Sequence, residues 1–315
     1  MRLNPLGVLA VSVAVCAAPL GAGVVKKGKD DKTRDLVPTG KGWGENRPDA
    51  PLVHGQVSEE AGRPARPKKG NGINYHGGPL ILGTTNVYYI WYGNWSGTAQ
   101  TILTDLANNI GGSPYFNINT TYYNGSNVHV SNSVHYAGSS TDPYSHGTTL
   151  SDSSVQAVVS AAISGGGLPQ DTNGVYFVLT SADVNESSGF CTQYCGWHTH
   201  GTIFGSDIKY AFVGNPERCP SACTNGTGAP NGDVGADGAA SIIAHELEES
   251  VTDPDLNAWY DTRGEENADK CAWTFGTTYD VGGGVLANVH LGTRDYLIQR
   301  NWVNASGGYC SMSYP

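Results

Sequence analysis

The run of apolar and polar positions divides the chain near residue 71. Residues 23–70 carry few large apolar side chains, several prolines and charges of both signs, a composition that buries no core. Beyond that point the pattern turns globular. NVYYIWYG (86–93) reads as a buried strand and TAQTILTDLANNI (98–110) as an amphipathic helix. NVHVSNSVHYAG (127–138) alternates like a pair of strands. SDSSVQAVVSAAISGGG (151–167) has a Ser/Asp start, helical spacing and a glycine stop. GVYFVLTSADV (174–184) and KYAFVGNP (209–216) are again apolar and β-rich. GADGAASIIAHELEESVTDP (235–254) predicts a helix with Asp237 as its N-cap and Pro254 marking its end. The chain after Trp259 is irregular and rich in Gly, Asn and aromatic residues. Strands and helices alternating in this way predict one α/β to α+β domain over residues 71–315, a mixed β-sheet flanked by helices.

The first residues add a compartment. An early Arg2, an apolar run over 6–18 and small residues after it have the plan of a secretory signal over residues 1–22, too short to span a membrane. Residues 23–70 then read as a disordered linker, or as a basic pro-segment cut near Lys68-Lys69. Six cysteines follow the leader, an even number that reads as disulfides in an exported chain. Their spacing suggests two local pairs, Cys191 with Cys195 and Cys219 with Cys223, and a third, Cys271 with Cys310. Sequons at Asn94, Asn119, Asn124, Asn185, Asn225 and Asn304 fit a glycosylated exterior. From residue 71 onward six basic residues face 21 acidic ones, a net charge near −15. Nucleic acid and anionic membranes are therefore excluded as partners.

Candidate chemistry centres on His245. On an α-helix, positions four apart lie ~40° apart around the axis and one turn along it. His245 and Glu249 can reach one ion, with Glu246 next in line to take a proton from water. This is the logic of the H-E-x-x-H metallohydrolases, with a glutamate in place of the second histidine. The competing reading is a solvated acidic face on which His245 simply pairs with Glu249. A zinc site needs a third protein ligand. RGEENADKCAW offers Glu265, Glu266 and Asp269, CTQYCGWHTHG offers His198 and His200, and Asp253 is a further candidate. Glu266 or Asp269 is favoured, because a glycine-containing loop ahead of Cys271 can swing back over the helix. His198 and His200 stand as an additional site; with Cys191 and Cys195 they resemble a closed Cys/His zinc centre, which an oxidising compartment disfavours. NGDVGADG (231–238) offers Asn231, Asp233 and Asp237 as a calcium loop, though a glycine-rich turn into the helix is the plainer reading.

NYHGGPLI, VYYIWYG, VYFVLTSADV, GFCTQYCGWH, YAFVGNPERCPSAC and NGDVGADG, in that order, resemble the phosphate-induced protein 1 (EXORDIUM-like) family from about Asn71 to the end. The resemblance implies a secreted, extracellular or cell-wall protein and carries no settled activity with it. Plant members keep a stretch like Thr252-Asp253-Pro254 and lack the residues found here at 245, 246 and 249. The chain resembles instead a microbial branch with the H-E-x-x-E form and a downstream Glu-x-x-Asp, as in Glu266 to Asp269.

These readings lead to a secreted, disulfide-bonded, zincin-like hydrolase acting on a peptide or cell-wall substrate. His245, Glu249 and Glu266 or Asp269 would hold Zn2+, and Glu246 would be the general base. A non-enzymatic extracellular carbohydrate-binding protein is the rival, since 17 Tyr and seven Trp suit sugar stacking as well as a packed core. A Ca2+-stabilised structural domain is a third candidate. Oligomeric state is not encoded in any of these features.

Overall fold

The computed structural model describes residues 72–315 and, ahead of them, the strands Val24–Lys26 and Leu36–Pro38, which pair antiparallel. The expected leader and the rest of the 23–70 segment lie outside the described residues. A five-stranded sheet forms the centre, built from β1 (Thr85–Tyr92), β2 (Val134–Asp142), β3 (Gly174–Thr180), β4 (Gly196–Ile203) and β5 (Ser206–Val213). Its order is β2-β1-β3-β5-β4, parallel throughout except for β4, which runs antiparallel to β5 along one edge. Strands β1 and β3 sit in the middle and are covered on both faces. That is why their sequences read as unbroken apolar runs rather than as alternation.

Three long helices cover the sheet. Helix α1 (Gly97–Asn109) is capped by Ser96 and α2 (Asp152–Ser164) by Ser151, each side chain accepting a backbone N–H three residues on. Helix α3 (Val234–Thr252) is the longest and packs against α1, β4 and β5. Two glycines of β4 show which helix lies on which face. A Cβ at Gly196 would stand 2.5 Å from Ile242 Cγ2 of α3, and one at Gly201 would stand 2.8 Å from Gln156 Nε2 of α2. Positions five apart on a strand point to opposite faces. Helix α3 therefore lies under the even-numbered side of β4, which also carries His198 and His200.

Several details differ from the sequence expectations. The N-cap of α3 is Asp233, which accepts the Ala236 N–H at 2.9 Å; Asp237 lies inside the first turn. The Asp237 carboxylate accepts the backbone N–H of Asn231 at 2.9 Å and its side-chain amide at 2.7 Å, fastening the NGDVGADG turn to the helix. Only the second half of NVHVSNSVHYAG becomes a strand, β2. The first half contributes a single bridge, Tyr123 to His129. The irregular tail contains three short antiparallel hairpins. It closes over α3, where the Gln299 N–H donates to Ser241 Oγ at 3.1 Å.

The disulfides are Cys191–Cys219, Cys195–Cys223 and Cys271–Cys310. The third is the pair expected; the two local pairs are not formed. Cys219 and Cys223 flank one helical turn (Pro220–Cys223), and side chains four apart on a helix run side by side, so their Cβ vectors do not converge. Each instead meets a cysteine of the turn leading into β4. The two bridges staple the chain entering β4 to the chain leaving β5. With Cys191 and Cys195 oxidised, the closed Cys/His zinc centre is ruled out. Two sequons also fall inside the fold: Asn119 is fully buried and Asn225 nearly so, which leaves no room for a glycan on either. Among the described residues no helix is long and apolar enough to cross a membrane.

Candidate metal centre

Helix α3 is buried on every side from Gly235 to Thr252, enclosed by the sheet and by the C-terminal loops. Its acids and its histidine therefore sit in the interior, where an uncompensated charge is costly. His245, Glu246, Glu248 and Glu249 are all at most 2% exposed.

The loop after the short strand Trp259–Tyr260 brings two more acids to this helix. Asp261 organises it by accepting the backbone N–H groups of Arg263 and Glu265, at 2.7 and 3.0 Å, and the Lys270 ammonium at 3.1 Å. Glu265 turns outward to Arg263 at 2.6 Å. Glu266 and Asp269 turn inward, held by the Cys271–Cys310 bridge beside them. The Asp269 N–H donates to Glu249 Oε1 at 3.0 Å, and the Glu266 N–H to Asp269 Oδ2 at 3.2 Å. Strand β4 adds His198 from the other side.

Two groups of ligand atoms result. His245 Nε2 lies 3.2 Å from Glu249 Oε1 and 3.7 Å from Asp269 Oδ1. His198 Nε2 lies 3.1 Å from Glu266 Oε1 and 3.7 Å from Glu249 Oε2. Within each trio one ligand atom per residue falls inside a 4.8 Å cluster. Ligands about 2.0–2.1 Å from a tetrahedral ion stand about 3.3 Å apart, so these spacings suit a cation between them. Hydrogen bonding accounts for only part of the cluster: His198 Nε2 meets both oxygens of Glu266, at 3.1 and 3.2 Å, whereas His245 Nε2, Glu249 Oε2, Asp269 Oδ1 and both carboxylate oxygens of Glu246 are buried without a hydrogen-bond partner. Native interiors seldom leave so many polar atoms unpaired.

The protonation pattern shows the same crowding. Burial drives the Glu246 carboxyl well above the usual range, and the charges of Glu249 and Asp269 add to it. Burial and repulsion from Glu249, Asp253 and Asp269 do the same to Glu266. Burial alone would depress His245, but Glu249 and Asp269 outweigh it and raise the imidazole well above its ordinary value. His198 falls to about 4, through burial and the nearby His245 and His200, against the pull of Glu249.

The remaining candidates lie elsewhere. His200, two residues along β4, pairs with Asp207 at 2.8 Å and Asp255 at 3.6 Å, and Lys209 already bridges both acids. Asp253 caps the C-terminal end of α3, accepting the Ala258 and Asn257 N–H groups, and burial pushes its carboxyl up to about 7. Glu266 and Asp269 read as alternatives along the sequence, whereas the fold brings both, one to each histidine. Strand β4 is not among the elements expected, although the alternation in GWHTHGTI is the signal that sets His198 and His200 on one face. Cavities of about 660 and 290 Å3 open elsewhere, around Glu186 and Arg218 and around Asp142 and Val158, and neither is lined by a member of the cluster.

Residues 73–295 match the family model described as the phosphate-induced protein 1 conserved region. Protein EXORDIUM-like 5 of Arabidopsis thaliana is 33% identical over 274 residues, covering 73% of this chain and 75% of the relative. Protein EXORDIUM-like 3 of the same plant is 33% identical over 281 residues, covering 76% and 82%. Protein PHOSPHATE-INDUCED 1 of Nicotiana tabacum is 28% identical over 228 residues, covering 62% and 69%. No solved structure matches the chain. The match spans the sheet, helix α3 and both inward-facing acids, and on it the chain belongs to the phosphate-induced protein 1 family.

Proposed function

We propose that this protein is a secreted zinc-dependent hydrolase, a peptidase in its most direct reading. One observation carries this: a histidine and a glutamate one helical turn apart meet an aspartate from a later loop, with their facing atoms unpaired and Glu246 unpaired beside them. The motif helix lying under a mixed sheet, beside its antiparallel edge strand, supports the zincin-like reading. Three disulfides support an oxidising compartment. The same reading sets the chain in a metal-binding, microbial branch of its family.

His245, Glu249 and Asp269 would hold the ion. A divalent cation held by these residues would supply Lewis-acid polarisation of a water molecule and of the scissile carbonyl. Glu246 accepts the proton of the attacking water on a carboxylate oxygen and returns it to the leaving nitrogen. Gly196 leaves the space this carboxylate occupies, since a Cβ there would stand 2.9 Å from Glu246 Oε1.

The burial of every member of the cluster favours a second reading, a closed cation centre inside an extracellular binding protein for carbohydrate or cell-wall material. Metal analysis followed by Glu246→Gln separates the two. The hydrolase predicts bound zinc at about one equivalent or more, retained in Glu246→Gln while peptide turnover is lost. Retained ligand affinity and no turnover in either protein would favour the binding protein. Absence of tightly bound metal would remove both.

A further inference from the structure

We propose that the centre holds two divalent cations rather than one, with Glu249 bridging them. The proposal rests on the metal-binding reading above and extends it with a second position.

The two oxygens of Glu249 face different histidines. Oε1 is 3.2 Å from His245 Nε2, and Oε2 is 3.7 Å from His198 Nε2. Each histidine also has a terminal carboxylate of its own, Asp269 at 3.7 Å from His245 and Glu266 at 3.1 Å from His198. Each position thus has the same donor set: one imidazole nitrogen, one terminal carboxylate and one half of the shared carboxylate. Two-metal hydrolytic sites place their ions ~3.5–4 Å apart, a distance that the two oxygens of one carboxylate span when each binds its own ion.

Charge points the same way. Glu249, Glu266, Asp269 and Glu246 together carry four negative charges when ionised, in a region where each is at most 7% exposed. The nearby basic groups are engaged elsewhere: Lys209 with Asp207 and Asp255, Lys270 with Asp261. A second ion also accounts for Glu249 Oε2, which a single ion at His245 would leave buried and unpaired. Imidazole with carboxylates suits first-row divalent ions, zinc and manganese among them.

The test uses the full-length secreted protein, stripped with a chelator and titrated with Mn2+ and separately with Zn2+. Zinc is counted per chain, and the manganese form is read by electron paramagnetic resonance. The expected result is two ions per chain, with an exchange-coupled manganese pair whose signal differs from that of an isolated ion. His198→Ala should retain one ion and lose the coupled signal, while the wild-type spectrum stands independently of whether that variant folds. One ion per chain with an isolated-ion spectrum overturns the two-ion proposal and leaves the single-ion hydrolase standing. No binding of either ion removes both.

Discussion

Glu248 and Glu249 are neighbours on one helix, both fully buried, each with one carboxylate oxygen unpaired, yet they face different groups. Glu248 faces the C-terminal loops, where the Asn301 amide donates to its carboxylate and Asn267 donates to its backbone carbonyl at 3.2 Å. Burial leaves its pKa well above the usual range, although Asn119 and Asn301 pull it down. Glu249 faces His245, His198 and Asp269, and its Oε2 has no hydrogen-bond donor at all. Glu248 has an amide donor on Oε2 and leaves Oε1 unpaired, with no histidine or second carboxylate paired to it among the described residues. The other is surrounded by two imidazoles and a further carboxylate, the grouping on which the proposed cation site rests. Burial of an acid is therefore not by itself a sign of a site; the character of its partners is.

The comparison can be broken most sharply at Glu249. Glu249→Ala should abolish tight metal binding and with it turnover, and should remove the stabilisation that metal confers. That stabilisation is about 4 kcal/mol when free metal stands a thousandfold above its Kd, measured as the difference in unfolding free energy with and without a chelator. Unchanged metal content in this variant would place the cation elsewhere. Glu246→Gln should keep the metal and the fold and lower kcat by about 10²–10⁴-fold, the usual share of a general base. Gly196→Ala should cost about 1–3 kcal/mol, because its Cβ would meet Ile242 Cγ2 at 2.5 Å and press on Glu246, so kcat should fall as well.

Glu248→Gln should have the smallest effect, within about 1 kcal/mol at neutral pH, with metal content unchanged. The sign of its pH dependence follows from the raised carboxyl. A group whose pKa is higher in the folded state adds stability that is fully present below the unfolded value, near ~4.3, and is lost as pH rises toward the folded value. Wild type should therefore lose ground to Glu248→Gln as pH rises from about 4 toward neutrality, in urea unfolding series at matched metal. A variant that instead loses ground with rising pH would show that Glu248 is ionised in the fold.

Much of the fold was legible along the chain. Apolar runs marked β1, β3 and β5, amphipathic spacing marked α1, and a Ser/Asp start with helical spacing marked α2. The helix boundary at Pro254 was readable because proline disfavours helical backbone in the residue before it. Strand β4 was not, because an edge strand carries a weaker apolar signal and its alternate positions here are Gly, His and Thr. The N-cap at Asp233 could not be told from Asp237, since two aspartates one turn apart in a glycine-rich stretch offer equivalent caps. Disulfide pairing was legible for one bridge of the three. Cys271 with Cys310 has few rivals, while four cysteines in two i, i+4 pairs can pair locally or across, and only the relative placement of two segments decides.

The sequence by itself determined the spacing of His245, Glu246 and Glu249, because a helix places residues four apart on one side whatever surrounds it. Tertiary structure alone decided which distant residues join them. His198 arrives from an edge strand 47 positions before His245, and Glu266 and Asp269 arrive from a loop stapled by a disulfide. Local spacing follows from backbone geometry, whereas the meeting of strand, helix and loop depends on how the whole core packs, and no short stretch of sequence contains that information.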